Sequence, residues 1–284
     1  MEQEYDKLNL TNDFIFAKVM RNKELCKRLL EIVLDIEIEK IEYPEEQKAI
    51  DITTNAKSVR LDVYVKDGRN TIYNIEMQTT NPQNLPKRSR YYQGMIDLDL
   101  IEKGENYKKL NRSYVIFICT EDIFGGGRHI YTFENLCIQN TSLRLRDETT
   151  KVFLNPYGTM KDIHEELENF LNYLVNGRPT DRFTEMLDNE VVKARQNEEW
   201  RMEYMTLMMK EMEKYEEGLE RGRSEGRDEG RKEGIKEGIK EGHKEGALTT
   251  LFTLVHDGLL GLEEAAKYSS LPEGEFAEKM KQVE

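Results

Sequence analysis

Between residues 60 and 78 the chain alternates apolar and polar side chains in two consecutive runs. Leu61, Val63 and Val65 alternate with Asp62, Tyr64 and Lys66, and Tyr73, Ile75 and Met77 alternate with Asn74, Glu76 and Gln78. A period of two is the signature of a strand, whose successive side chains point to opposite faces. Asp67-Gly68, with Asn70 close behind, supplies turn chemistry between the runs. The pattern predicts a hairpin of residues 59–66 and 71–78. If both apolar sets face one core, the loop holds an odd number of residues, three or five. Asp62, Glu76 and Gln78 then gather on the opposite face. A two-residue loop would turn one strand over and separate them.

The rest of the chain reads as helices around further strands. Residues 10–34 show helical recurrence of Phe14, Phe16, Val19, Met20, Leu25, Leu29, Leu30 and Val33, with Thr11 or Asn12 placed to cap them. A strand is predicted near 36–43, a loop over 79–86, a helix over 87–102 and a strongly apolar strand over 113–120. Gly125, Gly126 and Gly127 follow that strand. No Gly-Lys-Ser or Gly-Lys-Thr accompanies them, so a plain turn is expected and not a nucleotide-binding loop. Residues 131–139 are expected to add an edge strand. Residues 161–217 read as all-helical, interrupted at Gly177 and Pro179, with a methionine cluster (Met202, Met205, Met208, Met209, Met212) suited to helix packing.

From Gly218 to Gly246 glycine recurs every fourth residue, eight times, among Lys, Arg and Glu. Each glycine costs a helix about 1 kcal/mol against alanine. Two readings stand: a helix stabilised by close approach of a partner helix, or a charged linker. The first is preferred, and it implies self-association. Residues 247–284 read as short helices broken at Gly258 and turned at Leu271-Pro272. Part of this tail resembles a small helix-turn-helix without the basic residues of a groove-reading helix.

Composition narrows the partners. The chain has 284 residues, 42 Lys and Arg against 55 Asp and Glu, and a formal charge of −13. That argues against tight binding to nucleic acid through bulk charge, although clustered basic residues still act within about 10 Å. Cys26, Cys119 and Cys137 are odd in number and widely spaced, which fits reduced thiols better than a disulfide framework or a zinc site. The four histidines, His129, His164, His243 and His256, have no metal-ligand spacing. No apolar h-region opens the sequence and no run has the apolar length of a membrane span, so a cytoplasmic protein is expected.

Two carboxylates and an amide on one hairpin face suit a divalent cation. Mg²⁺ takes one or two carboxylates with water and phosphate, and it can acidify a bound water and neutralise a phosphoryl oxygen. A hairpin with an ordinary solvated polar face gives the same pattern. Asp62 followed by Glu76-Met77-Gln78 on the next strand resembles the PD-(D/E)XK nuclease superfamily, and more closely the Rpn recombination-promoting nucleases, or PD-(D/E)XK-family transposases. NDFIFAKVM (12–20), KRSRYYQGMID (87–97), YVIFICTEDIFGGG (114–127) and FLNPYG (153–158) support the resemblance. It runs from about residue 10 to 158 and, more loosely, into the tail. Leu61 stands where the motif has proline, and Gln78 where it has lysine; glutamine at that place is common in the subfamily.

The resemblance implies an α/β restriction-endonuclease-like core, a mixed sheet flanked by helices, with a long helical C-terminal extension. It implies a Mg²⁺-dependent DNA endonuclease, with Mn²⁺ as a substitute, that promotes recombination or mobile-element movement. Asp62 and Glu76 would hold the metal, Gln78 would position the attacking water or the scissile phosphate, and Asp13 would complete or orient the acidic set. By itself an Asp in a first helical turn also suits the helix dipole. On the helix at 87–102, Arg88 leads the candidate DNA contacts, with Lys87, Arg90, Tyr91 and Tyr92. Guanidinium groups fork onto phosphate and tyrosines stack on bases. A solvated helix face with one tyrosine in the core is the competing reading. The expected division is a core at 1–160, a helical arm at 161–217, the glycine repeat at 218–246 and a small helical tail at 247–284. The alternative function is a nuclease fold kept as a non-catalytic DNA-associated or scaffold protein.

Overall fold

The computed structural model describes residues 2–43, 49–50, 59–80 and 83–282. The elements are α1 (Glu2–Tyr5), α2 (Asp13–Val19), α3 (Lys23–Leu34), β1 (Ile41–Glu42), β2 (Ala49–Ile50), β3 (Val59–Arg60), β4 (Val63–Asp67), β5 (Ile72–Gln78), α4 (Leu85–Leu100), β6 (Ser113–Cys119), β7 (Ile130–Phe133), β8 (Leu136–Cys137), β9 (Asn140–Arg144), β10 (Thr149–Leu154), α5 (Glu165–Asn176), α6 (Arg182–Gln196), α7 (Glu198–His256), α8 (Leu262–Ser269) and α9 (Glu273–Lys281). Two compact units result, residues 1–206 and 207–284.

The first unit is built on a mixed six-stranded sheet of order β1-β4-β5-β6-β10-β7. β4 and β5 form the predicted antiparallel hairpin, with Val63 opposite Ile75 and Val65 opposite Tyr73. The loop between Asp67 and Thr71 holds three residues, the odd number the pattern requires. Asp67 Oδ1 accepts the amides of Arg69 and Thr71, each at 2.8 Å, and Asn70 takes a left-handed φ of 64°. β5, α4 and β6 make a parallel βαβ unit. α4 covers the sheet face that carries Tyr64, Ile72, Val115, Phe117, Cys119 and Phe153, adding Leu85, Tyr92, Met95 and Ile96 to that core.

That cover changes one expectation. The Glu76 face of the hairpin is not half-solvated: every residue of β5 is buried. Alternation therefore separates two covered faces here, as in sheets packed between helices.

Other elements differ in detail. The expected single helix over residues 10–34 is two, because Asn22 begins a second one: its side chain accepts the amides of Glu24 and Leu25, while Asn12 caps the first through Ile15. The strand expected near 36–43 is reduced to Ile41–Glu42. Of the loop at 79–86, residues 81–82 lie outside the described ones. β7 is the edge strand expected at 131–139, but it pairs with β10, which lies between it and β6. Lys18, only 3 % exposed, is held by Glu203 at 2.6 Å and by the faces of Phe14 and Trp200, and this ties α2 to the start of α7.

In the second unit the glycine repeat is helical throughout. α7 runs unbroken across residues 217 and 246, where the sequence suggested boundaries. A Cβ added at any glycine from Gly218 to Gly246 would meet nothing within 4 Å. After the helix, Gly258 turns the chain at φ +71°, and Phe252, Ala265, Ala266 and Phe276 close a small core.

Candidate active site

The hairpin register sets Asp62 beside Glu76 on the face beneath α4. Their mutual bonds use backbone as well as carboxylate: the Asp62 amide donates to Glu76 Oε1 at 3.2 Å, and the Met77 amide donates to Asp62 Oδ2 at 3.1 Å. Glu76 is 1 % exposed. Burial, and then the neighbouring Asp62 carboxylate, push its carboxyl well above the usual range, against the pull of Arg88.

Arg88 comes from the first turns of α4. Its Nη2 donates to Glu76 Oε2 at 3.2 Å, Nη1 to Gln78 Oε1 at 2.6 Å and Nε to the Tyr92 hydroxyl at 2.8 Å. Because a guanidinium only donates, Gln78 must turn its oxygen toward Arg88 and its Nε2 away. That Nε2 donates to the carbonyl and hydroxyl oxygens of Thr80 at 2.7 and 3.0 Å. The Gln78 amide, expected at the attacking water, is thus engaged at both ends by protein.

An open cavity of about 530 Å³ adjoins this group, lined in part by Lys7, Asn9, Asp13, Asp62, Gln78 and Arg88. Four residues singled out in the sequence therefore share one cavity. Glu76 does not line it. Asp13 does, but its carboxylate also accepts the Phe14 amide at 2.8 Å. Among the described residues no three His, Cys, Asp or Glu side chains gather closely enough to hold a metal ion, so Asp62, Glu76 and Asp13 do not form a single cluster.

The helix contacts divide. Arg90 and Tyr91 are exposed on α4 but do not line the cavity. Tyr92 is 7 % exposed and packs against Phe117 with ring centroids 5.9 Å apart, so it belongs to the core and supports Arg88. Burial first, and then Glu76, push its hydroxyl up to about 12. Lys7 and Thr80 were not singled out in the sequence. Thr80 follows directly on the Glu-x-Gln strand, which is a usable signal, whereas Lys7 lies in a charged leader with no pattern of its own.

The glycine turn is structural. Asp122 accepts the amides of Gly125 at 3.0 Å and Gly127 at 2.8 Å, and the Tyr131 hydroxyl, which donates to Asp122, itself accepts from Gly126 at 3.0 Å. Those amides are taken and make no phosphate cradle.

In kind, Asp62 and Glu76 fit Mg²⁺, which needs no more than two carboxylates when water and phosphate complete its shell. A mixed sheet flanked by helices, with an Asp immediately before one strand and a Glu-x-Gln at the end of the next, is the core of a PD-(D/E)XK nuclease-like protein. The chain belongs to the PD-(D/E)XK nuclease family transposases, whose family model matches residues 10–225. No curated protein and no solved structure matches it significantly.

Proposed function

We propose that this protein is a Mg²⁺-dependent DNA endonuclease that hydrolyses phosphodiester bonds in recombination or mobile-element movement, with Mn²⁺ able to replace Mg²⁺. The observation that carries this reading is that Asp62, which lines a cavity with Lys7 and Arg88, pairs with a buried Glu76 behind it. Asp62 and Glu76 would hold the metal. When bound, the metal acidifies a water and neutralises charge on the phosphoryl oxygen. Lys7 and Arg88 supply positive charge for the phosphate backbone, and Asp13 orients groups at the cavity wall. Arg90 and Tyr91, exposed on α4, are placed to follow DNA beyond the cavity. Gln78 holds Arg88 and Thr80 in place.

We further place the protein in the cytoplasm as a homo-oligomer assembled through residues 218–246. Among the described residues no helix is long and apolar enough to cross a membrane. Deleting 218–246 should lower the mass seen by light scattering; an unchanged mass would remove that part of the reading. The second functional reading, a binding or scaffold protein on a nuclease fold, is favoured by one observation: Arg88 already occupies Glu76 Oε2, at 3.2 Å. Supercoiled plasmid incubated with Mg²⁺, Mn²⁺ or EDTA separates the two. Nicking with either metal and none with EDTA supports the nuclease. Intact plasmid at every metal concentration leaves the scaffold.

A further inference from the structure

Arg88 gives three of its five guanidinium N–H donors to protein groups. All three of its nitrogens donate, to Tyr92, Gln78 and Glu76, and its Cζ lies 5.0 Å from the Tyr92 ring centroid and 5.5 Å from that of Phe117. Yet the side chain is one-third exposed and lines the cavity, whereas Glu76, behind its Nη2, does not. A cation shared by Asp62 and Glu76 would meet this guanidinium on the same carboxylate. Glu76 turns Oε1 to Asp62 and Oε2 to Arg88, and two cations on the two oxygens of one carboxylate repel each other strongly in so buried a place.

We propose that Arg88 has two seats. Without metal it is the counter-cation of Glu76; when a divalent cation takes Glu76, Arg88 is released into the cavity to grip the phosphate being cut. The forked geometry that suits a carboxylate suits a phosphate equally. The proposal rests on the metal-dependent nuclease reading and deepens it. It also accounts for the departure at position 78. A lysine there would repel Arg88 from its first seat, whereas Gln78 offers the oxygen that holds it.

Competition for one carboxylate makes the two cations weaken each other reciprocally. The test is binding of Mn²⁺ alone to the full-length protein, by calorimetry, for the natural chain, Arg88→Met, Arg88→Lys and Asp62→Asn. Fluorescence anisotropy with a short duplex in Ca²⁺ is read alongside. Arg88→Met should bind Mn²⁺ at least about fivefold more tightly, the lower end of ordinary coupling between sites, and bind the duplex more weakly. Arg88→Lys should restore part of the duplex affinity. A second measurement needs only the natural chain: the Arg88 Nε–H resonance in [¹⁵N]arginine spectra, assigned with Arg88→Lys, should move on addition of Mg²⁺. Mn²⁺ binding that depends on Asp62, with no tightening in Arg88→Met and an unmoved Nε–H resonance, overturns the two-seat proposal alone. Mn²⁺ binding that is absent, or indifferent to Asp62→Asn, overturns the metal reading and this proposal with it.

Discussion

Restoring the family lysine by Gln78→Lys should harm this protein. The side chain at 78 is 8 % exposed and accepts a 2.6 Å bond from Arg88. A hydrogen bond to a charged group contributes about 1.5–3 kcal/mol. The substitution removes the acceptor and sets an ammonium beside the guanidinium, which adds repulsion between like charges in a place with little water. An ammonium could still donate to the Thr80 carbonyl, which returns part of the loss. With the repulsion and the returned bond opposing each other, the net expectation is a destabilisation of about 1.5–3 kcal/mol, that of the lost charged bond. Trp200, the sole tryptophan, sits 5.6 Å from the Lys18 ammonium and reports the first unit. Urea unfolding followed by its fluorescence should show a lower midpoint at unchanged slope. Stability equal to or above that of the natural chain would show that Arg88 does not depend on the Gln78 oxygen.

Three other expectations follow from the same geometry. Burial pushes the Cys26 and Cys119 thiols up to about 12, so at pH 8 only roughly one in ten thousand is thiolate; Ellman's reagent should find one fast thiol, Cys137, which is partly exposed, and three fast thiols would contradict the burial. Asp122→Ala removes the acceptor of the glycine turn and should cost about 1–3 kcal/mol at neutral pH. Burial raises the Asp122 carboxyl, but bonds from Gly127, Tyr131, Phe124 and Gly125 outweigh it and hold it below the usual range. Its stabilisation is therefore present above the ordinary Asp pKa and lost as pH falls through the depressed one, so the difference between variant and natural chain, read by urea unfolding, should shrink toward acid pH. Gly226→Ala with Gly230→Ala adds Cβ atoms that meet nothing within 4 Å in one chain. The pair should raise far-UV helicity and helix stability by about 1 kcal/mol per residue in a monomer, and a fall in light-scattering mass would mark those glycines as the contact between copies.

The hairpin was legible because two signals agreed. Asp67-Gly68 marked the turn, and period-two alternation with both apolar sets on one core face required an odd loop, so the grouping of Asp62, Glu76 and Gln78 followed without any knowledge of α4. What covers that face was not legible: a buried polar face and a solvated one have the same alternation, and only packing of Tyr92, Met95 and Ile96 distinguishes them. The break at Asn22 was hidden by apolar recurrence that continues across it. β10 was missed because its partners, β6 and β7, lie far away in sequence, and pairing of that kind leaves no local trace. Arg88 was visible as a basic residue near the hairpin. Its hold on Glu76 depends on where α4 begins relative to β5, which the residue pattern does not set.

If Asp62 and Glu76 together make a phosphodiester-cutting centre, neither carboxylate can be removed without loss of cleavage. The most direct measurement is the nicking of supercoiled plasmid in Mg²⁺ by the natural chain, Asp62→Ala and Glu76→Ala, each first shown to be folded by circular dichroism. Nicked circles are expected from the natural chain and at least about a hundredfold less from either variant, as when groups that act as a unit are removed one at a time. Equal nicking by all three proteins, or none by the natural chain, would contradict such a centre.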